Sequence, residues 1–149
     1  MSEIFELPGH FIRRLHQISV QAFHARARAA GHDLTPVQFV ALEAVRTTPG
    51  IDQASVAAMI AYDRTTIGGV IDRLVEKGYL KREISPRDRR ARVLTLSAAG
   101  KRILDEFTPA VLALQADILC GLTEEERRTF LALARKATRA LHPEEVASD

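Results

Sequence analysis

Arg64, Thr65, Thr66 and Arg73 lie along one short segment, and Arg87, Asp88, Arg89 and Arg90 crowd a loop just beyond it. An arginine guanidinium can grip guanine O6 and N7 with two parallel hydrogen bonds. A threonine hydroxyl can bond a base edge or a phosphate, and its methyl can meet a thymine methyl. Arginines at a loop tip suit a narrow minor groove, where the negative potential is enhanced. Asp88 looks wrong on such a surface unless it has a structural task, and one such task is to hold Arg90 by a salt bridge and aim it. These residues can recognise a double-stranded polyanion.

The elements that must position them are legible from periodicity. Asp63 is an N-cap candidate for a helix in which Ile67, Val70, Ile71 and Leu74 step by three and four along one side, and Gly78 suits its end. Arg64, Thr65 and Thr66 open this helix and Arg73 falls on its exposed side. Gly68 and Gly69 cost about 1 kcal/mol each relative to alanine in a helix, which invites a reason such as close approach of a duplex or a neighbouring helix. Just upstream, Asp52 can cap a short helix containing Val56, Ala57 and Ile60, and Ala61-Tyr62-Asp63 forms the connection. Two short helices joined by so tight a turn make a helix-turn-helix, whose second helix lies in the major groove with its first residues at base edges. The period then changes. Apolar and charged residues alternate in Leu80–Ile84 and again in Arg92–Leu96, with the polar arginine loop between them, which predicts a hairpin.

Long helices flank this unit. Phe11, Ile12, Leu15, Ile18, Ala22 and Phe23 form one stripe of a helix starting near Pro8 and stopping at Gly31. Thr35-Pro36-Val37-Gln38 reads as N-cap, first-position proline and capping-box glutamine of a second helix, which carries Val37, Val40, Ala41, Ala44 and Val45 and ends at Pro49-Gly50. Ser97 can cap a long helix with a stripe of Ile103, Phe107, Val111, Leu114 and Ile118. Pro109 should kink or divide that helix. Thr123-Glu124-Glu125-Glu126 opens a last helix with Phe130, Leu131, Ala134, Ala137 and Leu141, which His142-Pro143 stops. The fold class is mainly α with a small β-hairpin wing.

Composition excludes several other roles. The 149 residues are 46% hydrophobic and 27% charged, as a folded chain with a sizeable core requires. The net charge of +2 is small, but its distribution is uneven: residues 63–102 carry eleven Lys/Arg against five Asp/Glu, whereas residues 103–149 carry five against nine. The positive surface therefore coincides with the helix and loop that hold the arginines. With one cysteine, Cys120, there is no disulfide framework. No apolar run approaches the roughly 18 residues that span a bilayer, and the N-terminus lacks the pattern of a secretory signal. A cytoplasmic protein without a membrane partner is expected. No nucleophile–base pair, phosphate-binding glycine loop or metal-ligand spacing stands out, so neither an enzyme nor a cofactor is expected.

The stretch DRTTIGGVIDRLVEKGYLKREISPRDRRARVLTLSAAGK resembles the MarR family of winged helix-turn-helix transcription regulators. The RLVEKGYLKR turn into the wing carries much of the likeness. So does DRRARVLTLSAAG, with Ser97 where the family often has threonine. The helix order on both sides also matches. The resemblance implies a single domain, 1–149, with a DNA-binding region at 34–97 and helical dimerisation regions at 1–33 and 98–149. It implies a homodimer whose first and last two helices interlock, Arg64, Thr65, Thr66 and Arg73 on the recognition helix, and Asp88 and Arg90 at the wing tip. Many members are repressors released by a small ligand, often an aromatic acid, bound between the dimerisation helices and the DNA-binding part. The stretch Ile51-Asp52-Gln53 with Asp63-Arg64 is similar to members that control aromatic-compound breakdown.

The DNA-contact set expected from these readings is Arg64, Thr65, Thr66, Gly68, Arg73, Arg87, Asp88, Arg89 and Arg90. His10, Arg14 and His16 on the first helix are candidate donors for a carboxylate effector, although individually such residues are more often solvated or satisfied at an interface. His24 and His32 complete no metal spacing. Cys120, late in the chain, is expected to be a buried inert thiol. The alternatives are a metal- or redox-responsive regulator of the same fold, or a winged-helix module that contacts other proteins.

Overall fold

The computed structural model describes residues 2–60 and 63–141. Helix α1 (Pro8–Ala29) follows a short 3-10 turn at Glu3–Glu6, which the periodicity does not foretell. Next come α2 (Pro36–Thr47), strand β1 (Ile51–Asp52), α3 (Gln53–Met59) and α4 (Arg64–Glu76). The chain then forms β2 (Leu80–Ile84) and β3 (Arg92–Leu96) before ending in α5 (Ala98–Ile118) and α6 (Glu124–Leu141). Ala61 and Tyr62, the side chain of Leu141 and the expected stop at His142-Pro143 lie outside the described residues.

The helix starts are set by local chemistry. Thr35 Oγ1 accepts from the Gln38 N–H at 3.2 Å while Gln38 Oε1 accepts from the Thr35 N–H at 3.2 Å, the reciprocal capping box. Thr123 and Glu126 repeat this pairing ahead of α6. Ser97 caps α5 by accepting from the Gly100 N–H at 3.0 Å. Pro109 does not divide α5, which runs unbroken from Ala98 to Ile118. Proline removes only its own N–H from the ladder, and Asp105, whose carbonyl loses that donor one turn back, is an exposed residue.

The strands make one antiparallel sheet in the order β1-β3-β2. Leu80 pairs with Leu96 and Ile84 with Arg92, so the two expected strands close into the hairpin. The third strand is an addition: Ile51 pairs with Leu94 and Asp52 with Val93. Two residues cannot show an alternating pattern, so β1 is invisible to periodicity. The close approach in the fold is at Gly100, where an added Cβ would collide with the Tyr79 carbonyl oxygen; α5 leaves the sheet only because that residue has no side chain.

The core joins the inner face of α4 (Ile67, Ile71, Leu74) to α2 (Leu42, Val45), α3 (Val56), Leu80, Leu94 and the first half of α5. Phe107 is its aromatic centre, with ring centroids 5.2 Å from Phe23, 5.9 Å from Phe39 and 5.4 Å from His32, all edge-on. The two ends of the chain behave differently. On the α1 stripe only Phe23 is buried, whereas Phe11, Ile12 and Ile18 are exposed. Leu112 on α5 and Leu131 and Leu133 on α6 are exposed as well, and among the described side chains of α6 none is buried. Cys120 is also exposed, contrary to the expected buried thiol. It lies in the turn between α5 and α6, at the far end of helices whose packed portion lies closer to the sheet. No helix among the described residues is long and apolar enough to cross a membrane.

Candidate nucleic-acid interface

Asp63 starts the interface. Its carboxylate accepts from the Thr66 N–H at 2.7 Å and from the Thr66 hydroxyl at 2.8 Å, and so fixes the first turn of α4. Arg64 and Thr65 project from that turn and are exposed, as is Arg73 two turns further along. The Thr66 hydroxyl proton is committed to Asp63, which leaves its oxygen lone pairs and methyl for any partner. Asp52 caps α3 in the same way, through the Ser55 N–H and hydroxyl at 2.8 Å each.

Both caps lower the carboxyl pKa. For Asp63 the Thr66 N–H is the main cause, then the Thr66 hydroxyl; for Asp52 it is the Ser55 N–H, then the Ser55 hydroxyl. A folded-state value below the unfolded one means that the cap stabilises above the ordinary value of 3.8 and that this contribution is lost as the pH falls through the lowered value. The Thr66 amide resonance is therefore expected to titrate with a midpoint below 3.8, and the transition should vanish in Asp63→Asn, which caps without titrating. A midpoint at or above the ordinary value would remove the carboxylate from this turn.

The wing tip is equally ordered by local bonds. Ser85 Oγ accepts from the N–H groups of Arg87 and Asp88, at 3.2 and 3.4 Å. Asp88 Oδ1 accepts from the Arg90 N–H at 3.0 Å and lies 3.5 Å from Arg90 Nε. The task expected of Asp88 is thus met in geometry, and the Arg90 side chain stands 93% exposed. Among the described residues Arg64, Arg73, Arg87 and Arg89 form no ion pair.

A cleft of about 520 Å³ separates the start of α4 from the wing, and it brings Arg64 and Arg90 together. Gln53 and Arg92, absent from the expected set, also line it. Arg92 donates to the Arg89 carbonyl at 3.2 Å. Its strand alternation conceals it in the sequence, because it reads there as an ordinary outward residue. Gln53 had one signal, its place directly after the Asp52 cap. Gly68 would place a Cβ 3.5 Å from Gln53 Nε2, an ordinary contact, and a Cβ at Gly69 would meet nothing within 4 Å. Packing against a neighbouring helix therefore does not explain Gly69.

The three effector candidates separate. His16 lines a cavity of about 590 Å³ between α1, α5 and α6, with Leu15, Ser19, Gln115, Arg127 and Phe130. His10 and Arg14 are not in its lining. His10 packs edge-on against Phe5 and Phe11 and lies 3.4 Å from Arg13. Arg127, unforeseen, is the cation at the cavity, and its Nε already donates to the Leu119 carbonyl at 3.1 Å.

Residues 32–91 match the sequence model of the MarR family. The transcriptional repressor NicR of Pseudomonas putida is 30% identical over 134 residues, covering 90% of this chain and 84% of NicR. The chain belongs to the MarR family. Among solved structures, BpsR of Bordetella bronchiseptica, whose DNA binding is regulated by 6-hydroxynicotinic acid, superposes with a TM-score of 0.84 at 30% identity and covers 93% of this chain and 97% of that one. The repressor CouR, bound to a 23-mer DNA duplex, gives 0.78 at 29% identity with 94% and 96% covered. This MarR protein is a DNA-binding transcriptional regulator with a winged helix-turn-helix, and β1 completes its wing as a three-stranded sheet.

Proposed function

We propose that the protein is a cytoplasmic repressor, without catalytic activity, that binds a pseudo-palindromic operator as a homodimer and is released by a small aromatic acid. The observation that carries this reading is the exposed basic surface made by two rigid pieces: the capped first turn of α4 and the wing tip on which Asp88 holds Arg90. Residues 34–97 form the reading head. Arg64, Thr65 and Thr66 enter the major groove, with Arg73 at a phosphate and Gly68 giving the backbone room to approach. Arg87, Arg89 and Arg90 reach the minor groove, with Asp88 aiming Arg90.

Residues 1–33 and 98–149 supply the dimer. Support comes from the exposed apolar side chains of α1, Leu112 of α5 and Leu131 and Leu133 of α6, a surface that water would otherwise cover. A two-fold dimer places two copies of α4 about one helical turn of DNA apart. The cavity between α1, α5 and α6 supports the effector reading. Phe130 and Leu131 offer apolar walls to a ring, while Arg127 and His16 offer donors to a carboxylate.

Footprinting on DNA flanking the gene is expected to reveal a protected inverted repeat. Affinity for it should fall steeply with salt, with a slope of about 0.9 for each phosphate neutralised. A salt-insensitive complex, or equal affinity for unrelated sequences, would sink the proposal.

A further inference from the structure

We infer that Lys77 is a positioning residue that ties the far end of the recognition helix to the dimerisation helices and so sets the spacing of the two copies. The inference rests on the DNA-binding, dimeric reading above.

Lys77 ends α4, and Gly78 follows it at a φ of 76°. A lysine there usually faces the last carbonyls of its own helix. This one reaches across to the junction between α1 and α2. Its Nζ donates to the Asp33 carbonyl at 2.6 Å and to Gln38 Oε1 at 3.1 Å, and it stands 3.4 Å from the Asp33 carboxylate. An ammonium has three donors and no acceptor, so these contacts use all it has. The carboxylate is 96% exposed, and that part of the contact is weak. The other two are charge-assisted bonds to groups held in place. Gln38 is buried, only 4% exposed, and its oxygen also accepts from the Thr35 N–H.

The junction is fixed in turn to α5. The His32 ring packs edge-on against Phe107 at 5.4 Å and lies 3.9 Å from the Glu106 carboxylate, and Leu34 is buried beside it. The contacts form one ladder: α5, His32, Asp33 and Gln38, Lys77, α4. The N-terminal turn of α4 meets the wing; its C-terminal end is referenced to the helices that form the dimer. A tether at that end therefore governs the angle at which each recognition helix leaves the two-fold axis. The Lys77 side chain is only 25% exposed and is turned inward, which removes it from the phosphate contacts.

The test uses the full chain carrying Lys77→Met, which keeps the aliphatic stem and removes the ammonium. Binding is measured to the operator found with the wild type, and to the same operator with one base pair inserted between its half-sites. The variant is expected to discriminate between the two spacings about fivefold less well, or worse, the lower end of usual coupling factors. Its salt slope should equal that of the wild type, and Lys77→Arg should restore part of the discrimination. A general loss of stability would lower both affinities together and leave their ratio unchanged. An unchanged ratio overturns the inference, and so does a slope reduced by about one, the mark of a lost phosphate contact. Amide exchange at Thr35 and Tyr79 checks the tether without DNA. Lys77→Met should accelerate both, and unchanged exchange removes the tether. Should the wild type bind no operator, the functional reading fails while this measurement still decides the tether.

Discussion

Arg90→Ala is expected to weaken operator binding about tenfold or more, and to lower the salt slope by about one, while leaving thermal stability nearly unchanged. The separation follows from exposure. The Arg90 side chain is 93% exposed and its partner Asp88 is 52% exposed, and an ion pair in that setting contributes at most about 1 kcal/mol to folding. Asp88→Ala sharpens the test because two accounts predict opposite signs. If Asp88 merely adds negative charge to a DNA-facing loop, its removal should tighten binding. If it aims Arg90, its removal frees the Arg90 N–H, bonded at 3.0 Å, together with the guanidinium, and binding should weaken despite the more favourable net charge. Tighter binding by Asp88→Ala would refute the aiming role, and wild-type affinity in Arg90→Ala would take the wing out of recognition.

Phe107→Ala should have the largest effect on stability, about 3–5 kcal/mol, against the roughly 5–15 kcal/mol that holds a domain folded. Phe107 is fully buried and meets Phe23, Phe39 and His32, which come from α1, α2 and the junction between them. Its removal leaves a cavity where three elements converge on α5. Phe11→Ala is the informative contrast. Phe11 is 49% exposed in the single chain, so its loss should cost little within one copy and instead make the melting temperature depend more steeply on protein concentration. Chemical denaturation read by circular dichroism, repeated at several protein concentrations, distinguishes the two. A cost below about 1 kcal/mol for Phe107→Ala would mean that the packing of α5 on α1 and α2 does not hold the fold.

Much of the interface is legible in the chain because it is built from local chemistry. The caps at Thr35, Asp52, Asp63, Ser97 and Thr123 depend on a side-chain oxygen and an N–H three residues away, a separation that sequence displays directly. The hairpin is legible for the same reason, since alternation marks both strands and a polar loop directly joins them. Even the link between Asp88 and Arg90 spans only two positions.

Features that depend on remote partners are the ones that sequence left undetermined. β1 exists because β3 lies beside it. Gly100 matters because the Tyr79 carbonyl crowds it, while Gly69, which looked equally demanding, has open space. Cys120 reads as a buried thiol from its place late in the chain but sits in an exposed turn. Gln53 and Arg92 join the cleft only when α3, α4 and the wing converge. Lys77 looks like an ordinary lysine at a helix end until its partner, 44 positions away, is in place.

By itself, then, the sequence determined the helix starts, the wing and the basic segment that carries the arginines. Their causes act within a few residues, where capping geometry and hydrophobic period operate. Tertiary structure alone decided which apolar stripes are covered and which stay open, that Arg64 and Arg90 face one cleft, and how the recognition helix is anchored. Those outcomes depend on which remote surfaces meet, and a stripe of the same period has no local mark to show whether its own chain or a second copy will cover it.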